Sequence, residues 1–190
     1  LVYNGVSVDI FNNAKNKSIL KNQFNTKQTD KIIAAIGYVS HIKGAVEFVE
    51  VANLVIKQIN NVKFVFIGFS HDSGDPDCMN LCNSLIEKYK IKNSIIYTGY
   101  QSDIHNILQE VDILVQTMPN GSWSRVVLEA MASGVPVIAI EKDMKSEFIE
   151  HEKTGILAKD IKTCADEIIN LLINPNKIKI LGNSGKNHVI

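Results

Sequence analysis

Residues 119–136 read PNGSWSRVVLEAMASGVP, and they lead into the apolar run VPVIAI at residues 135–140. The apolar side chains of the quoted stretch recur at helical spacing after a turn that an Asn-Gly pair favours. Ser122 and Ser124 are typical helix N-cap residues, because a serine hydroxyl accepts a hydrogen bond from a free N–H group of the first turn. The stretch therefore predicts a turn, a helix and a buried strand in succession, which is the repeating unit of an α/β fold.

The rest of the chain repeats this alternation of apolar strands and amphipathic helices. Strands are predicted at residues 31–37, 62–68, 94–99, 112–117, 135–140 and 154–158, helices at residues 45–59, 78–89, 103–110, 146–150 and 161–172, and a polar turn at residues 71–77. Strands that are apolar throughout are buried on both faces, which is typical of a parallel sheet covered by helices. We therefore predict an α/β fold with a doubly wound, Rossmann-like parallel sheet, whose ligands bind outside the carboxyl ends of the strands.

The composition narrows the class of protein. Lys and Arg together number 20, as do Asp and Glu, so the chain lacks the basic excess that is typical of nucleic-acid-binding proteins. No apolar run comes close to about 18 residues, the length that spans a bilayer, and no signal-peptide pattern opens the chain. Because the first residue is Leu rather than Met, we expect a fragment of a longer protein.

The three cysteines, Cys78, Cys82 and Cys164, fit neither a disulfide framework nor a four-ligand zinc site. Cys78 and Cys82 are one helical turn apart, in line with other apolar residues of the same predicted helix. We therefore expect the cysteines to pack in the core as small apolar side chains. Cysteines without a disulfide framework also predict a reducing, cytoplasmic compartment.

Two predicted helix starts carry residues that suit an anionic ligand. Lys43 and Gly44 stand before the clearest amphipathic helix, where free N–H groups and the helix dipole favour a phosphate. A solvent-exposed Lys at the end of a loop explains the same residues equally well. On the later helix Arg125 and Glu129 are four residues apart, and the carboxylate could accept hydrogen bonds from the vicinal hydroxyls of a ribose. A surface ion pair between Arg125 and Glu129 is the alternative interpretation.

Several segments together resemble one family. SRVVLEAMASGVPVIAI at residues 124–140 is close to verbatim the family pattern grvvlEAMA.G.PVIA, which is highly specific. Weaker matches are VYNGVSVDIF (2–11), IGYVSHIKG (36–44), FVFIGFS (64–70), YTGYQSDIHNILQEVDILVQTMP (97–119) and KSEFIEHEKTGILA (145–158). Over nearly its whole length, the chain resembles the C-terminal, nucleotide-sugar-binding domain of the retaining GT-B glycosyltransferases of family 4, also called group 1.

The resemblance implies a domain organisation. Residues 1–30 correspond to the interdomain hinge and lead-in segment, residues 31–174 to the Rossmann-like nucleotide-sugar-binding domain, and residues 175–190 to the start of a truncated C-terminal helical segment. An N-terminal domain that holds the acceptor and an assisting polar residue is expected upstream. The catalytic residues are therefore not identified in this chain, which is expected to bind the donor but to transfer poorly or not at all by itself.

The resemblance also assigns binding roles residue by residue. Donor-diphosphate binding falls on Lys43, Gly44, Ser122, Ser124 and Arg125, ribose binding on Glu129, base binding on Thr98, Tyr100 and Gln101, and the donor-sugar loop on Gly121 and Trp123. Neither a metal site nor a cofactor beyond the NDP-sugar substrate is implied, and a UDP-sugar is slightly favoured. His41 is close to Lys43 in sequence and could reach a phosphate, although the family varies at that position.

Three places depart from the family pattern. Gly121 stands where the family has the first Glu of its Glu-x7-Glu motif, which contacts the donor hexose, and Tyr38 stands where the family has a phosphate-binding Arg. Asp143 and Met144 replace a Gly-Gly pair. We hypothesise that the turn with Gly121 and Trp123 admits a donor sugar without the usual hydroxyl contact, such as a deoxy or N-acetyl sugar.

The implied activity is retaining transfer of a glycosyl group from an NDP-sugar to an acceptor hydroxyl in the synthesis of a cell-surface polysaccharide or glycolipid. The expected partners are the NDP-sugar and a carbohydrate or lipid-linked acceptor, without nucleic acid. The full-length protein is expected in the cytoplasm, with peripheral contact at the inner face of the membrane. Two alternatives remain open: a nucleotide-sugar-binding module without transferase activity, suggested by Gly121, and an NDP-sugar 2-epimerase on the same architecture.

Overall fold

A computed structural model describes residues 6–24, 26–68, 75–118, 125–141 and 146–189 of the chain. Strands and helices alternate along these residues. The strands are β1 (Lys31–Ile36), β2 (Val62–Ile67), β3 (Ile95–Tyr97), β4 (Ile113–Gln116), β5 (Val137–Ile140) and β6 (Ile156–Ala158). The helices are α1 (Val8–Asn12), α2 (Ile19–Phe24), α3 (Ala45–Ile56), α4 (Pro76–Tyr89), α5 (Ile104–Ile107), α6 (Arg125–Ala132), α7 (Ile161–Ile173) and α8 (Pro175–Val189).

These strands form one sheet in the order β3-β2-β1-β4-β5-β6. Every neighbouring pair is parallel, and β1 pairs with β2 along its whole length and with β4 at Ile33 and Ala34. The strand order runs outward from β1 on one side and from β4 on the other, so the topological switch point lies between these two strands. The doubly wound α/β fold predicted from the sequence is confirmed.

Helices cover both faces of the sheet, which explains why most residues of its strands are apolar. On one face α3, α4 and α7 form a core with the strands, and Phe48 of α3 contacts Phe64 and Phe66 of β2 with ring centroids 5.3 and 4.8 Å apart. On the other face α2, α5 and α6 pack around the fully buried Leu114 and Met131. Burial on both faces fixes the register of the strands, and with it the positions of the loops at their carboxyl ends.

The three cysteines lie in this core, as the sequence predicts. Cys78 and Cys82 on α4 and Cys164 on α7 are all buried free thiols. Burial raises the pKa of each of them. A thiol that stays protonated in apolar surroundings is a poor nucleophile, so none of the three is suited to covalent catalysis.

The last helix crosses the end of α6 at close range. A Cβ added at Gly182 of α8 would lie 2.1 Å from the carbonyl oxygen of Gly134, the second residue after α6. Glycine at position 182 therefore allows α8 to pack directly on the backbone after α6. α8 is 15 residues long. Among the helices of the described ranges, none has the length and apolar composition needed to cross a membrane.

Two local predictions are wrong. Residues 146–150 do not form a helix, because the Glu150 N–H donates to the Thr154 hydroxyl at 2.9 Å rather than to the Ser146 carbonyl, its partner in a helix. The end of the predicted turn 71–77 belongs instead to α4, where Asp75 is the N-cap and Pro76 the first helical residue. This pair is typical of a helix start.

The lead-in segment contains two short helices that the sequence did not indicate. The first turn of α2 is held by the carboxylate of Glu110, which accepts hydrogen bonds from the N–H groups of Ile19 at 2.6 Å and Leu20 at 3.1 Å. Leu20 is completely buried. Short helices are marginal on their own, so α2 depends on contacts that only the folded chain supplies.

Candidate functional site

The switch point brings the loop after β1 into contact with the end of β4. The buried hydroxyl of Thr117 donates a hydrogen bond to the Gly44 carbonyl at 2.6 Å. Gly44 has a φ of +70°, in the left-handed region, and a Cβ at this position would lie 2.1 Å from the Thr117 carbonyl oxygen. Only glycine fits there. The start of α3 and the end of β4 are thus held together at the edge of the sheet where α/β folds bind ligands.

Lys43 lies at the same edge and has no ion-pair partner among the described residues. Its backbone N–H donates to the Ser40 carbonyl at 3.1 Å, which fixes the turn before α3. Its half-buried side chain places Nζ 3.9 Å from Met118 Sδ, a weak acceptor. The ammonium group is therefore uncommitted, and it lies between the start of α3 and the end of β4, where the helix dipole also favours an anion.

The second predicted helix start, that of α6, carries a half-buried carboxylate. Val127, Ala130 and Met131 form the buried face of α6, as predicted, while Arg125 is exposed and Glu129 half-buried. Burial raises the pKa of Glu129, and the positive charge of Arg125 lowers it in part. The two side chains form no ion pair within 4.0 Å, and no described residue donates a hydrogen bond to the Glu129 carboxylate. The carboxylate is thus available to an external donor.

This arrangement predicts how the stability of the chain depends on pH. Because the folded pKa of Glu129 is raised above its unfolded value of about 4.5, the folded state is penalised as pH rises above that value. Glu129→Gln removes the penalty. We expect the variant to be more stable than the wild type at neutral pH, by less than about 1 kcal/mol since half of the side chain is solvent-screened.

The check is urea unfolding of both proteins at about pH 4 and about pH 7.5. The difference in the free energy of unfolding between Glu129→Gln and the wild type should shrink towards zero at the lower pH. The control is Glu87→Gln, which changes an exposed glutamate of α4 paired only with exposed Lys92. An advantage that is the same at both pH values would contradict the assignment of the raised pKa to Glu129.

The turn predicted to bind the base lies at the end of β3. The Thr98 N–H donates to the Phe66 carbonyl at 3.0 Å and so continues the β2–β3 ladder. The Gln101 side-chain amide donates to the Thr98 carbonyl at 3.0 Å, which closes the turn. Tyr100 between them is 77% exposed. The turn therefore presents backbone edges and one free aromatic face, the groups that can recognise and cover a planar ring.

Several predicted residues lie outside the described part of the chain. These are Gly121, Ser122, Trp123 and Ser124 before α6, and Asp143 and Met144 after β5. Tyr38, which stands in place of the family's Arg, is 55% exposed and lines a shallow crevice with Lys43 and Phe66. The described members, Lys43, Gly44, Thr98, Tyr100, Gln101, Arg125 and Glu129, all lie at or after the carboxyl ends of strands.

Thr117 and Met118 are site residues that the sequence analysis missed. Both follow directly after β4, and both contact the loop that carries Lys43 and Gly44. A signal existed, because polar Gln116 and Thr117 follow the apolar run 113–115 at the side of the sheet where ligands bind. The sequence does not show that Thr117 contacts Gly44, because the pairing of β1 with β4 is not a local property of the sequence.

A sequence profile of the family described as "Glycosyl transferases group 1" matches residues 16–188 of the chain. Among curated proteins, the poly(ribitol-phosphate) alpha-N-acetylglucosaminyltransferase of Staphylococcus aureus (strain COL) is 29% identical over 166 residues, which are 86% of this chain and 32% of that protein. The chain spans less than half the length of the first curated relatives that it matches.

Two solved structures share the architecture. The C-terminal domain of a glycosyl transferase group 1 family protein, LpcC, from Francisella tularensis has a TM-score of 0.81 and 23% identity, with 97% of this chain and 96% of that chain covered. A variant of S. aureus TarM in complex with fondaparinux, alpha-GlcNAc-glycerol and UDP has a TM-score of 0.76 and 28% identity. There the match covers 86% of this chain and 32% of the other.

Proposed function

The chain belongs to the group 1 glycosyl transferases, and we propose that it is the donor-binding part of an enzyme that transfers a glycosyl group from an NDP-sugar, with retention, to an acceptor hydroxyl. The observation that carries the proposal is a pair of uncommitted ionic groups at the carboxyl edge of the sheet. Within the described ranges, the ammonium group of Lys43 at the start of α3 has no ion-pair partner, and the carboxylate of Glu129 on α6 accepts no hydrogen bond. A nucleoside diphosphate needs one group of each kind, a cation for the diphosphate and an acceptor for the ribose hydroxyls.

The reaction consumes an NDP-sugar and an acceptor alcohol and yields a glycoside, NDP and one proton. The bond between the anomeric carbon and the β-phosphate oxygen breaks, the diphosphate keeps the electron pair, and the acceptor oxygen bonds to the same face of that carbon. Charge therefore builds up on the departing diphosphate in the transition state. Lys43 and the N terminus of α3 are placed to stabilise that charge, which is electrostatic catalysis. The acceptor and the group that receives its proton are assigned to the remainder of the full-length protein.

For the donor we propose a UDP-N-acetylhexosamine. The S. aureus relative is by name an alpha-N-acetylglucosaminyltransferase, and the structure of the TarM variant contains UDP together with alpha-GlcNAc-glycerol. Gly121 supports the same choice, since it replaces a carboxylate that contacts donor hydroxyls in the family. The acceptor would be a hydroxyl of a cell-surface glycan, of a polymer related to it, or of a lipid-linked sugar. The transfer reaction would take place on the cytoplasmic side of the membrane.

Calorimetric titration of the chain with UDP-N-acetylglucosamine tests this proposal. Glu129→Gln should weaken binding by about 10- to 100-fold, because a charge-assisted pair of hydrogen bonds to ribose is lost. With the 2′,3′-dideoxy form of UDP the wild type and Glu129→Gln should bind alike, since the ribose then offers no hydroxyl at either position.

Glu87→Gln is the matched control and should bind like the wild type, because Glu87 lies exposed on α4. Equal affinity of wild type and Glu129→Gln for the intact nucleotide would overturn the ribose assignment. Equal affinity of the wild type for UDP-glucose and UDP-N-acetylglucosamine would overturn the choice of donor sugar, while leaving the nucleotide assignment in place.

Neither alternative function has a supporting observation in the described residues or in the relatives named above, so neither is proposed. The same protein preparations separate them. A full-length protein that binds UDP-N-acetylglucosamine and never releases UDP in the presence of acceptors would be a binding module. Conversion of the free nucleotide sugar to its 2-epimer would identify an epimerase.

A further inference from the structure

Three side chains with metal-binding atoms meet between the loop after β1 and the start of α4. They are His41, Asp75 and Cys78, and their imidazole nitrogen, carboxylate oxygen and sulfur lie within 4.8 Å of one another. In the described ranges no other group of three His, Cys, Asp or Glu side chains comes so close together. The sequence did not indicate this cluster, because His41 is far from the other two along the chain.

Backbone geometry explains why the three side chains converge. Asp75 is the N-cap of α4, and its carboxylate accepts a hydrogen bond from the Cys78 N–H at 3.1 Å, so the third residue of the helix lies beside the cap. The Asp75 N–H donates to the Val39 carbonyl at 3.1 Å. That bond ties α4 to the loop that carries His41. The cluster is therefore built on two backbone-anchored elements rather than on free side chains.

The donor set fits a transition metal rather than a hard cation such as magnesium. Thiolate, imidazole and carboxylate are the ligands of Zn²⁺ and its neighbours, and three protein ligands with an open fourth position are typical of exchangeable zinc sites. Metal–ligand bonds of about 2.0 to 2.3 Å place tetrahedral ligand atoms about 3.3 to 3.8 Å apart. Small side-chain rotations close the difference from 4.8 Å. His41 is exposed and Cys78 buried, so an ion would enter from the His41 side.

Negative charge around the cluster also favours a dication. Glu47 of α3 has a buried carboxylate oxygen, Oε2, without a hydrogen-bond partner among the described residues. Glu47 lies in the first turn of α3, which packs against α4. A bound divalent cation would offset part of the negative charge that the carboxylates of Asp75 and Glu47 bring to this region.

We propose that His41, Asp75 and Cys78 form a binding site for a divalent transition-metal ion of the zinc class. Binding replaces the thiol proton by the metal: one M²⁺ enters, one sulfur–metal bond forms, and one proton leaves to solvent. His41 and Lys43 lie on the same loop between β1 and α3, but none of the three proposed ligands is among the residues assigned to the donor nucleotide. The proposal therefore does not depend on the donor function.

Titration of the chain with Co²⁺ tests the proposal, because a thiolate bound to Co²⁺ gives a charge-transfer absorption in the near ultraviolet that needs no enzyme activity. We expect one Co²⁺ per chain, with this absorption, and displacement by Zn²⁺. Cys78→Ser should abolish the charge-transfer band, and His41→Ala and Asp75→Asn should each weaken binding by about tenfold or more. Asn is also a good N-cap, so Asp75→Asn removes a ligand without removing the cap.

The chain supplies its own matched control. Cys164→Ser removes a buried thiol of α7, outside the cluster, and should leave the band unchanged. His41→Ala changes an exposed loop residue and therefore keeps the result interpretable even if Cys78→Ser does not fold. Absence of the band in the wild type, its persistence in Cys78→Ser, or tight Co²⁺ binding by His41→Ala would each overturn the proposal. Failure to bind UDP in a protein that shows the band would count against the donor proposal alone.

Discussion

Gly44→Ala is expected to lower the free energy of unfolding by about 3 kcal/mol and to abolish nucleotide binding. Two effects add up at this position. A non-glycine residue in the left-handed region costs about 1 to 2 kcal/mol. In addition, the new methyl group would lie 2.1 Å from the carbonyl oxygen and 2.4 Å from the carbonyl carbon of Thr117, both backbone atoms. Relief of that overlap requires the start of α3 to move away from the end of β4, which breaks the 2.6 Å hydrogen bond from the Thr117 hydroxyl.

Gly134→Ala is the matched control for this prediction. Gly134 also has a positive φ, +75°, but a Cβ there would meet only the flexible Lys186 side chain, at 3.8 Å. Gly134→Ala should therefore lose only the stability that a non-glycine residue costs in the left-handed region, without any steric overlap. The measurement is the urea-unfolding free energy of the three proteins, followed by UDP titration under native conditions. If both alanine variants lose the same stability, close packing at the switch point is not what requires Gly44.

Lys43→Ala is expected to weaken UDP binding by about 10- to 100-fold while leaving stability unchanged. The described contacts of the ammonium group are limited to a 3.9 Å approach to Met118 Sδ, so the folded chain loses little when it is removed. A bound diphosphate would lose a charge-assisted hydrogen bond and the attraction of a cation at a helix N terminus. The difference in UDP affinity between wild type and Lys43→Ala should also become smaller as salt is added, since screening weakens partly exposed charge pairs.

Two controls test whether the effect of Lys43→Ala on UDP binding is specific. They are the Lys57→Ala variant and titration with uridine in place of UDP. Lys57 is the exposed C-cap of the same helix, so Lys57→Ala makes the same charge change at the opposite end of α3. It should bind UDP like the wild type. Uridine lacks the diphosphate and should bind to wild type and Lys43→Ala with equal affinity. A similar loss of affinity for uridine and for UDP would show that Lys43 acts on the fold of the loop and not on the phosphates.

Continuity of apolar residues made the sheet predictable. β1, β2 and β5 consist of apolar residues except for Lys31 at the start of β1 and Lys63 in β2, because most of their residues are buried between helices, and these apolar runs mark their positions. Helix α3 was equally plain, because its buried side chains recur at helical spacing. The helix predicted at residues 146–150 is absent because the Glu150 N–H donates to the Thr154 hydroxyl instead of to the Ser146 carbonyl.

The site was predictable only in part, for a physical reason. Lys43 and Glu129 stand next to helix starts, and a helix start is visible in a sequence because its caps and charges are local. The Gly44–Thr117 contact and the His41–Asp75–Cys78 cluster depend instead on which loops the sheet order brings together. Strand order is decided by packing across the whole chain, so no local pattern reports these contacts.

The position of β1 at the centre of the sheet also determines the stage of chain synthesis at which the proposed nucleotide site can form. β1, α3 and β2 pair with close neighbours in the chain, so this βαβ unit can begin to form while the rest is still being made. The bond between Thr117 and Gly44, by contrast, requires β4, and Glu129 requires α6 after it. A nascent chain that ends before α6 therefore lacks part of the proposed nucleotide site. A nucleotide that binds at this proposed site would stabilise only the last stage of folding, after the first half of the sheet has formed.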